Sequence, residues 1–283
     1  KQIGDIAEDS NVRVNVVSIL GEECKLTALS EITERTSGEV LRVNPENLTQ
    51  EFSNILSNPV IATQVTVKLM LHRGLKFRNE EEHDLNDDQT VMTRKLGNVN
   101  EDTEFTFEFA KRETEELVKR GISVEDIEKL PFQTQIYYTT LDGMKCIRVT
   151  TEIVEISEKI EEVEKEADIA ILGVNAARQA SRLAKAGDYR AAQATAHSWK
   201  VQLDRVSEMT SQRSAFNDYK HNMGQLHSDL ANIYEEEQAE SSTVALESSG
   251  VRQMRRNDSF SEKLSKASKM NTKKSRARWS KKQ

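Results

Sequence analysis

The sequence predicts a multidomain chain of mixed class, α/β + β + α: a partial Rossmann-like α/β layer, an antiparallel β-sandwich, a helical bundle and a disordered basic tail. Three observations predict it. An apolar strand–helix–strand run occupies the first fifty residues, hydrophobic periodicity switches to two between Val60 and Thr151, and three–four spacing returns beyond it. The boundaries expected from these changes are 1–50, 51–152, 153–236 and 237–283, with the tail basic from residue 252.

Residues 2–9 (QIGDIAED) read as the end of a helix, and Asn11 to Leu20 as a strand. Val14, Val16, Val17, Ile19 and Leu20 make that strand apolar on both faces, the pattern of a parallel strand covered by helices. Leu26, Leu29 and Ile32 then fall at helical spacing, Ser37-Gly38 supplies the stop, and Glu39 to Val43 returns as a strand. Such a piece is too small to bury both faces of its own sheet. Further polypeptide is therefore expected to complete it.

In the second region Val65, Val67, Leu69 and Leu71 alternate with polar residues, as do Phe105, Phe107 and Phe109. Ile136 and Tyr138 lead into Leu141-Asp142-Gly143-Met144, where Asp-Gly predicts a type I′ hairpin with Cys146 to Ile153 as the return strand. Glu113 to Lys119 and the Ser123-x-x-Asp126 box predict helical turns before Pro131. Four or more such strands with one apolar face indicate a sandwich.

Ile153, Ile156, Ile160, Val163, Ala167 and Ala170 draw one stripe on an acidic helix. A second helix is expected to end at Gly187, Asp188 to cap a third, and Phe216, Tyr219, Met223, Leu226, Leu230 and Ile233 to line a fourth. After about Glu235 the periodicity fades into Ser- and Lys/Arg-rich sequence, and disorder is expected.

The run VRVNVVSILGEECKLTALSEITERTSGEVLRVNPENL resembles the last strand, last helix and closing strand of a von Willebrand A domain. The chain beyond this run resembles the β-sandwich and helical regions of the inner-coat COPII proteins, and of the protist proteins described as circularly permutated Ras. The resemblance covers residues 1–235 by layout and 12–48 by motif. The family's metal site uses an Asp-x-Ser-x-Ser loop upstream of this region, so the resemblance assigns no metal ligand and no cofactor here.

Composition and charge narrow the function classes. Hydrophobic residues are 36% and charged residues 31% of 283, so the chain is expected to be only partly globular. Cys24 and Cys146 are the only thiols, which excludes a disulfide framework or a Cys-based zinc cluster within one chain. With no membrane-length apolar run, a cytoplasmic location is expected. The net charge of −7 hides an asymmetry: residues 252–283 hold 12 Lys/Arg against two acids, about +10, leaving about −17 elsewhere.

Catalytic groups do not converge in the sequence. His72, His83, His197, His221 and His227 include no i, i+4 pair, Cys24 has acidic neighbours that raise a thiol pKa, and no Gly-rich phosphate loop is present. The acidic loop Asn79 to Asp88 lacks the alternating ligands and central Gly of an EF-hand and reads as a solvated loop. An enzyme is not expected. In the tail, Lys263, Lys266, Lys269, Lys273, Lys274, Arg276, Arg278, Lys281 and Lys282 suit an anionic surface such as nucleic acid, anionic lipid or tubulin tails. Ser259, three residues after Arg256, is a phosphorylation candidate whose modification would lower the tail charge.

The sequence thus favours a non-enzymatic protein-interaction scaffold, of a vesicle-coat-like or larger cytoplasmic assembly. Two other readings remain: a cytoskeleton- or cilium-associated protein anchored by its basic tail, and the regulatory part of a larger polypeptide with an upstream nucleotide-binding switch.

Overall fold

The computed structural model describes residues 2–10, 12–20, 26–36, 38–123, 129–155, 157, 159–210, 212–240 and 260–267. They form two compact units. One holds residues 1–59, 102–104 and 163–283, the other 60–101 and 105–162.

The first unit opens with helix α1 (Gln2–Asp9), strand β1 (Val16–Ile19), helix α2 (Leu26–Arg35) and strand β2 (Val40–Val43). β1 and β2 pair in parallel, Val16 with Val40 through Ile19 with Val43, as a two-stranded sheet. Leu26 at the start of α2 and Val40 and Val43 on β2 are buried, whereas Val12, Ile19 and Leu20 are exposed. Two residues fix the α2–β2 corner. The Thr36 hydroxyl accepts from Val14 N at 3.1 Å and donates to the Ile32 carbonyl at 2.9 Å. A Cβ on Gly38 would lie 1.7 Å from the Val14 carbonyl oxygen, so only glycine lets the two backbones pass. A helix not expected from the sequence, α3 (Leu48–Leu56), comes next with no buried residue.

Three helices dominate the rest of this unit: α6 (Ile169–Lys185), α7 (Tyr189–Met209) and α8 (Arg213–Glu240). They are preceded by the short helix α5 (Ile160–Lys165). Asp168 caps α6 by accepting from Ala170 N and Ile171 N, and Asp188 caps α7 by accepting from Ala191 N. Gly187 between them takes φ 83°, the left-handed stop anticipated from sequence. Small buried residues on α6 (Ala176, Ala177, Ala180, Ser181, Ala184) let its neighbours approach closely. A Cβ on Gly173 would meet the Tyr219 ring at 3.1 Å. Leu203, Val206, Phe216, Tyr219, Met223, Leu226 and Leu230 fill the core, each large aliphatic side chain contributing about 1.5–3 kcal/mol by burial.

Two expectations are corrected here. Ile153 to Ala170 is not one helix: Ile153 lies in a strand, Ile160 and Val163 are exposed on α5, and only the end of the stripe, at Ala167 and Ala170, packs inward. Nor is the tail disordered throughout. Residues 260–267 form a helix, α9, which buries Phe260, Leu264 and Ala267 in the bundle core. Their i, i+4, i+7 spacing makes one apolar stripe on an otherwise charged segment.

The second unit is antiparallel. β3 (Ala62–Leu71), β5 (Val91–Val99), β7 (Lys129–Thr139) and β8 (Lys145–Glu155) form a sheet in the order β5-β3-β7-β8. β4 (Leu75–Arg78) and β6 (Glu108–Lys111) form a separate two-stranded sheet, followed by helix α4 (Thr114–Lys119). Val65, Val67, Leu69 and Leu71 alternate inward as expected and share one cluster with Leu75, Phe77, Met92 and Leu130. Phe105 and Phe107 pack against it from extended chain outside any strand, and Phe109 on β6 stays exposed. Four strands and a two-strand ribbon thus stand where two full sheets were expected.

The β7–β8 turn also differs from expectation. Gly143 has φ 87° but Asp142 does not share the left-handed region that a type I′ turn demands of both central residues. Instead Gly143 N donates to Thr140 O and Thr140 N to Met144 O. This is a three-residue loop in which a right-handed turn is closed by one left-handed glycine.

Candidate interaction surface

The acidic loop is occupied by arginines. Arg94 binds Glu80 and Asp84, each at 2.8 Å, with Glu80 also accepting from Glu108 N at 2.9 Å. Burial works against the Arg94 charge, but the two carboxylates outweigh it and raise its pKa. Asp88 pairs with Arg120, whose guanidinium holds that carboxyl below the usual range, and buried Arg112 donates to the Asp88 carbonyl. Lys76 lowers Glu116 in the same way. This network ties the loop to β5 and α4; three of its carboxylates are spent on arginines. No group of three or more His, Cys, Asp or Glu among the described residues is placed to hold a metal ion.

The histidines are scattered. His72 Nδ1 accepts from Gly74 N, exposed His83 lies 3.5 Å from Asp84, and His197 and His221 are exposed on α7 and α8. His227 is half-buried on α8 with its ring edge-on to Tyr219, and burial lowers its pKa while it raises that of Tyr219. Cys146 is partly exposed, and Cys24 lies outside the described residues.

Of the tail residues singled out from sequence, two are described. Lys263 pairs with Asp229 on α8, and Lys266 with Glu262 at 2.6 Å. Glu262 also accepts from Arg42 N at 3.3 Å, so α9 joins β2 to the bundle. Ser259, Lys269, Lys273, Lys274, Arg276, Arg278, Lys281 and Lys282 lie outside the described residues, as do Asp126 and Ile156.

A surface not anticipated from the sequence lies on β8. Its register with β7 pairs Tyr137 with Ile147, Gln135 with Val149 and Pro131 with Ile153. The core-facing residues of β7, Phe132, Ile136 and Tyr138, stand opposite Glu152, Arg148 and Cys146. Between Ile147 and Ile153 the alternation of β8 is therefore inverted: Arg148, Thr150 and Glu152 lie on the side of those β7 residues yet stay exposed, and Ile147, Val149 and Ile153 lie on the outer face. Ile147, Val149 and Ile153 are 53%, 51% and 65% exposed, with Tyr137 beside them at 42%. The signal was present as the alternation Ile147, Val149, Ile153, but only the register shows that it faces away from the core.

Fold and surface together define a chain of α/β, antiparallel β and α-helical parts that presents strand edges and faces. No protein-family model matches it. The "Circularly permutated Ras protein 1" of Dictyostelium discoideum is 26% identical over 189 residues, which are 67% of this chain and 21% of that protein. The human COPII-coat protein Sec24c superposes with a TM-score of 0.62 at 12% identity, covering 97% of this chain and 35% of that one. A von Willebrand factor type A protein from Catenulispora acidiphila reaches a TM-score of 0.37 at 11% identity over 76% of this chain and 53% of its own, too low to support a shared fold. The chain therefore resembles a COPII coat protein in fold and a circularly permutated Ras protein in sequence, and spans about a third and a fifth of their respective lengths.

Proposed function

We propose that this chain is a non-enzymatic protein-interaction scaffold and works in a larger cytoplasmic assembly of vesicle-coat type. The observation that carries the proposal is the outer face of β8, where an edge strand leaves its aliphatic residues in solvent. Apolar surface exposed in this way marks interaction sites. Coverage of nearly the whole chain by a COPII-coat fold supports the coat-like setting by analogy. On this reading β1 and β2 are the closing part of a von Willebrand A-like sheet, and the two antiparallel sheets are a reduced β-sandwich.

Cross-linking mass spectrometry on complexes isolated with the full-length polypeptide tests this reading. Intermolecular links from Lys145, beside the β7–β8 turn, to a second protein are expected. A full-length polypeptide that yields no intermolecular links, or a purified chain that turns over substrate, overturns it.

The sequence match to a circularly permutated Ras protein favours a second reading, in which this chain regulates a nucleotide-binding switch elsewhere in the same polypeptide. Nucleotide release from the full-length polypeptide with and without residues 60–162 decides it. An unchanged release rate removes the regulatory role.

A further inference from the structure

We propose that β8 is a self-complementary edge through which two copies of this chain join into one continuous sheet. The inference rests on the interaction reading above and names the occupant of that surface. β8 is 11 residues long, lies at the edge of the sheet that the described residues form, and pairs with β7 without a register shift. Its sequence, KCIRVTTEIVE, holds no Pro, and its charges Lys145, Arg148 and Glu152 repel any strand that does not match them.

The direction of its free backbone groups follows from the turn. Thr140 N donates to Met144 O at 2.9 Å, which makes Thr140 and Met144 a hydrogen-bonded pair. Alternation along an antiparallel ladder then turns the N–H and C=O of even-numbered β8 residues toward β7 and those of odd-numbered residues toward the free edge.

Two antiparallel copies of β8, related by a two-fold axis through Thr150, use those odd-numbered residues. Val149 of each copy pairs with Thr151 of the other, and Ile147 with Ile153. The same register sets Arg148 opposite Glu152 and, by sequence, Lys145 opposite Glu155. Every charge on the strand meets its opposite, and every odd-numbered aliphatic residue meets another or a threonine methyl. Moving the axis to Val149 or Thr151 loses this match, because Arg148 then faces Thr150 or Val154. The charges therefore select one isologous register, as a two-fold contact requires.

Sedimentation velocity of the purified chain over a dilution series tests the proposal. A reversible dimer is expected. Arg148→Glu and Glu152→Arg each place like charges opposite one another at two symmetric positions and weaken association by about tenfold. The swapped double variant restores wild-type association. Both side chains are exposed, and circular dichroism confirms that each variant is folded.

The register is read independently by cysteine pairing in a chain whose Cys24 and Cys146 are changed to Ser. Thr150→Cys lies on the axis and forms an interchain disulfide on mild oxidation, whereas Arg148→Cys lies too far from its own copy to do so. A wild-type chain that stays monomeric, a dimer indifferent to the single charge reversals, or a swap that fails to restore association overturns the proposal. Monomeric behaviour removes self-pairing alone, since links from Lys145 to a different protein in the full-length complex test the broader interaction reading separately.

Discussion

Arg42 N donates to the Glu262 carboxylate at 3.3 Å, a bond between residues 220 apart in sequence that anchors α9 to the edge of β2. Glu262 sits between Phe260 and Leu264, whose side chains are buried, and precedes Lys263, which pairs with Asp229. One turn of α9 thus holds the parallel sheet on one side and the helical bundle on the other. Leu264→Ala is expected to cost about 2–5 kcal/mol in urea denaturation. If α9 undocks without global unfolding, the loss appears instead as faster hydrogen exchange at the Arg42 amide. Unchanged stability together with unchanged Arg42 exchange contradicts the docking.

The Thr36–Ser37–Gly38 segment, read from sequence as part of a family-like motif, has a mechanical explanation. Gly38→Ala drives a Cβ into the Val14 backbone, where neither atom is on a flexible side chain. A loss of about 4 kcal/mol or more is expected. Thr36→Val keeps the volume but leaves Val14 N without its acceptor, at about 1–3 kcal/mol. Thermal unfolding of both variants checks the ranking, and an alanine at position 38 that is tolerated as well as valine at 36 contradicts it.

Much of this architecture was legible because its signals are local. The Asp168 and Asp188 caps, Gly187 and the Phe216–Leu230 stripe each lie within a few residues of what they determine. The failures share a different cause. Ile147, Val149 and Ile153 fit a strand, while Ile153, Ile160 and Val163 also fit a helix, and nothing local decides which period owns Ile153. The apolar stripe of α9 is three residues long in a segment whose composition is dominated by Lys and Ser, so charge masked it. The candidate surface on β8 depends on the phase of one strand against another, a property of pairing rather than of either strand. The Asp88–Arg120 pair had no sequence signal, since 32 residues separate its members.

Acid should act on the second unit through that pair. Arg120 first, and Arg112 after it, depress the Asp88 pKa below its ordinary 3.8. A carboxylate depressed in the folded state contributes stability that is fully present above the unfolded value and is lost as pH falls through the folded one. The unit's stability is therefore expected to hold at pH 5 and to decline below about 4. Asp88→Asn should remove part of that decline and lower stability at neutral pH, measured by urea unfolding across the pH range. An acid limb identical in the two proteins assigns it to other carboxylates.

His227 should make the helical bundle respond at milder pH. Burial, then the charge of Lys200 and the nearby His197, both on α7, lower its pKa from 6.5. Its Nε2 is buried without a hydrogen-bond acceptor, so a proton gained there finds nothing to hold it. The unfolded chain binds that proton more readily than the folded one. Stability is thus complete above about pH 6.5 and falls on acidification toward the lowered folded value, by at most about 1.4 kcal/mol per pH unit for one proton. His227→Leu removes the titrating group and its unpaired nitrogen together, and should flatten the dependence between pH 6.5 and 5. Bundle unfolding followed through the half-buried Trp199 on α7, whose Nε1 donates to Gln179 at 2.9 Å, reports the change. Equal slopes for the two proteins would place the pH sensitivity elsewhere.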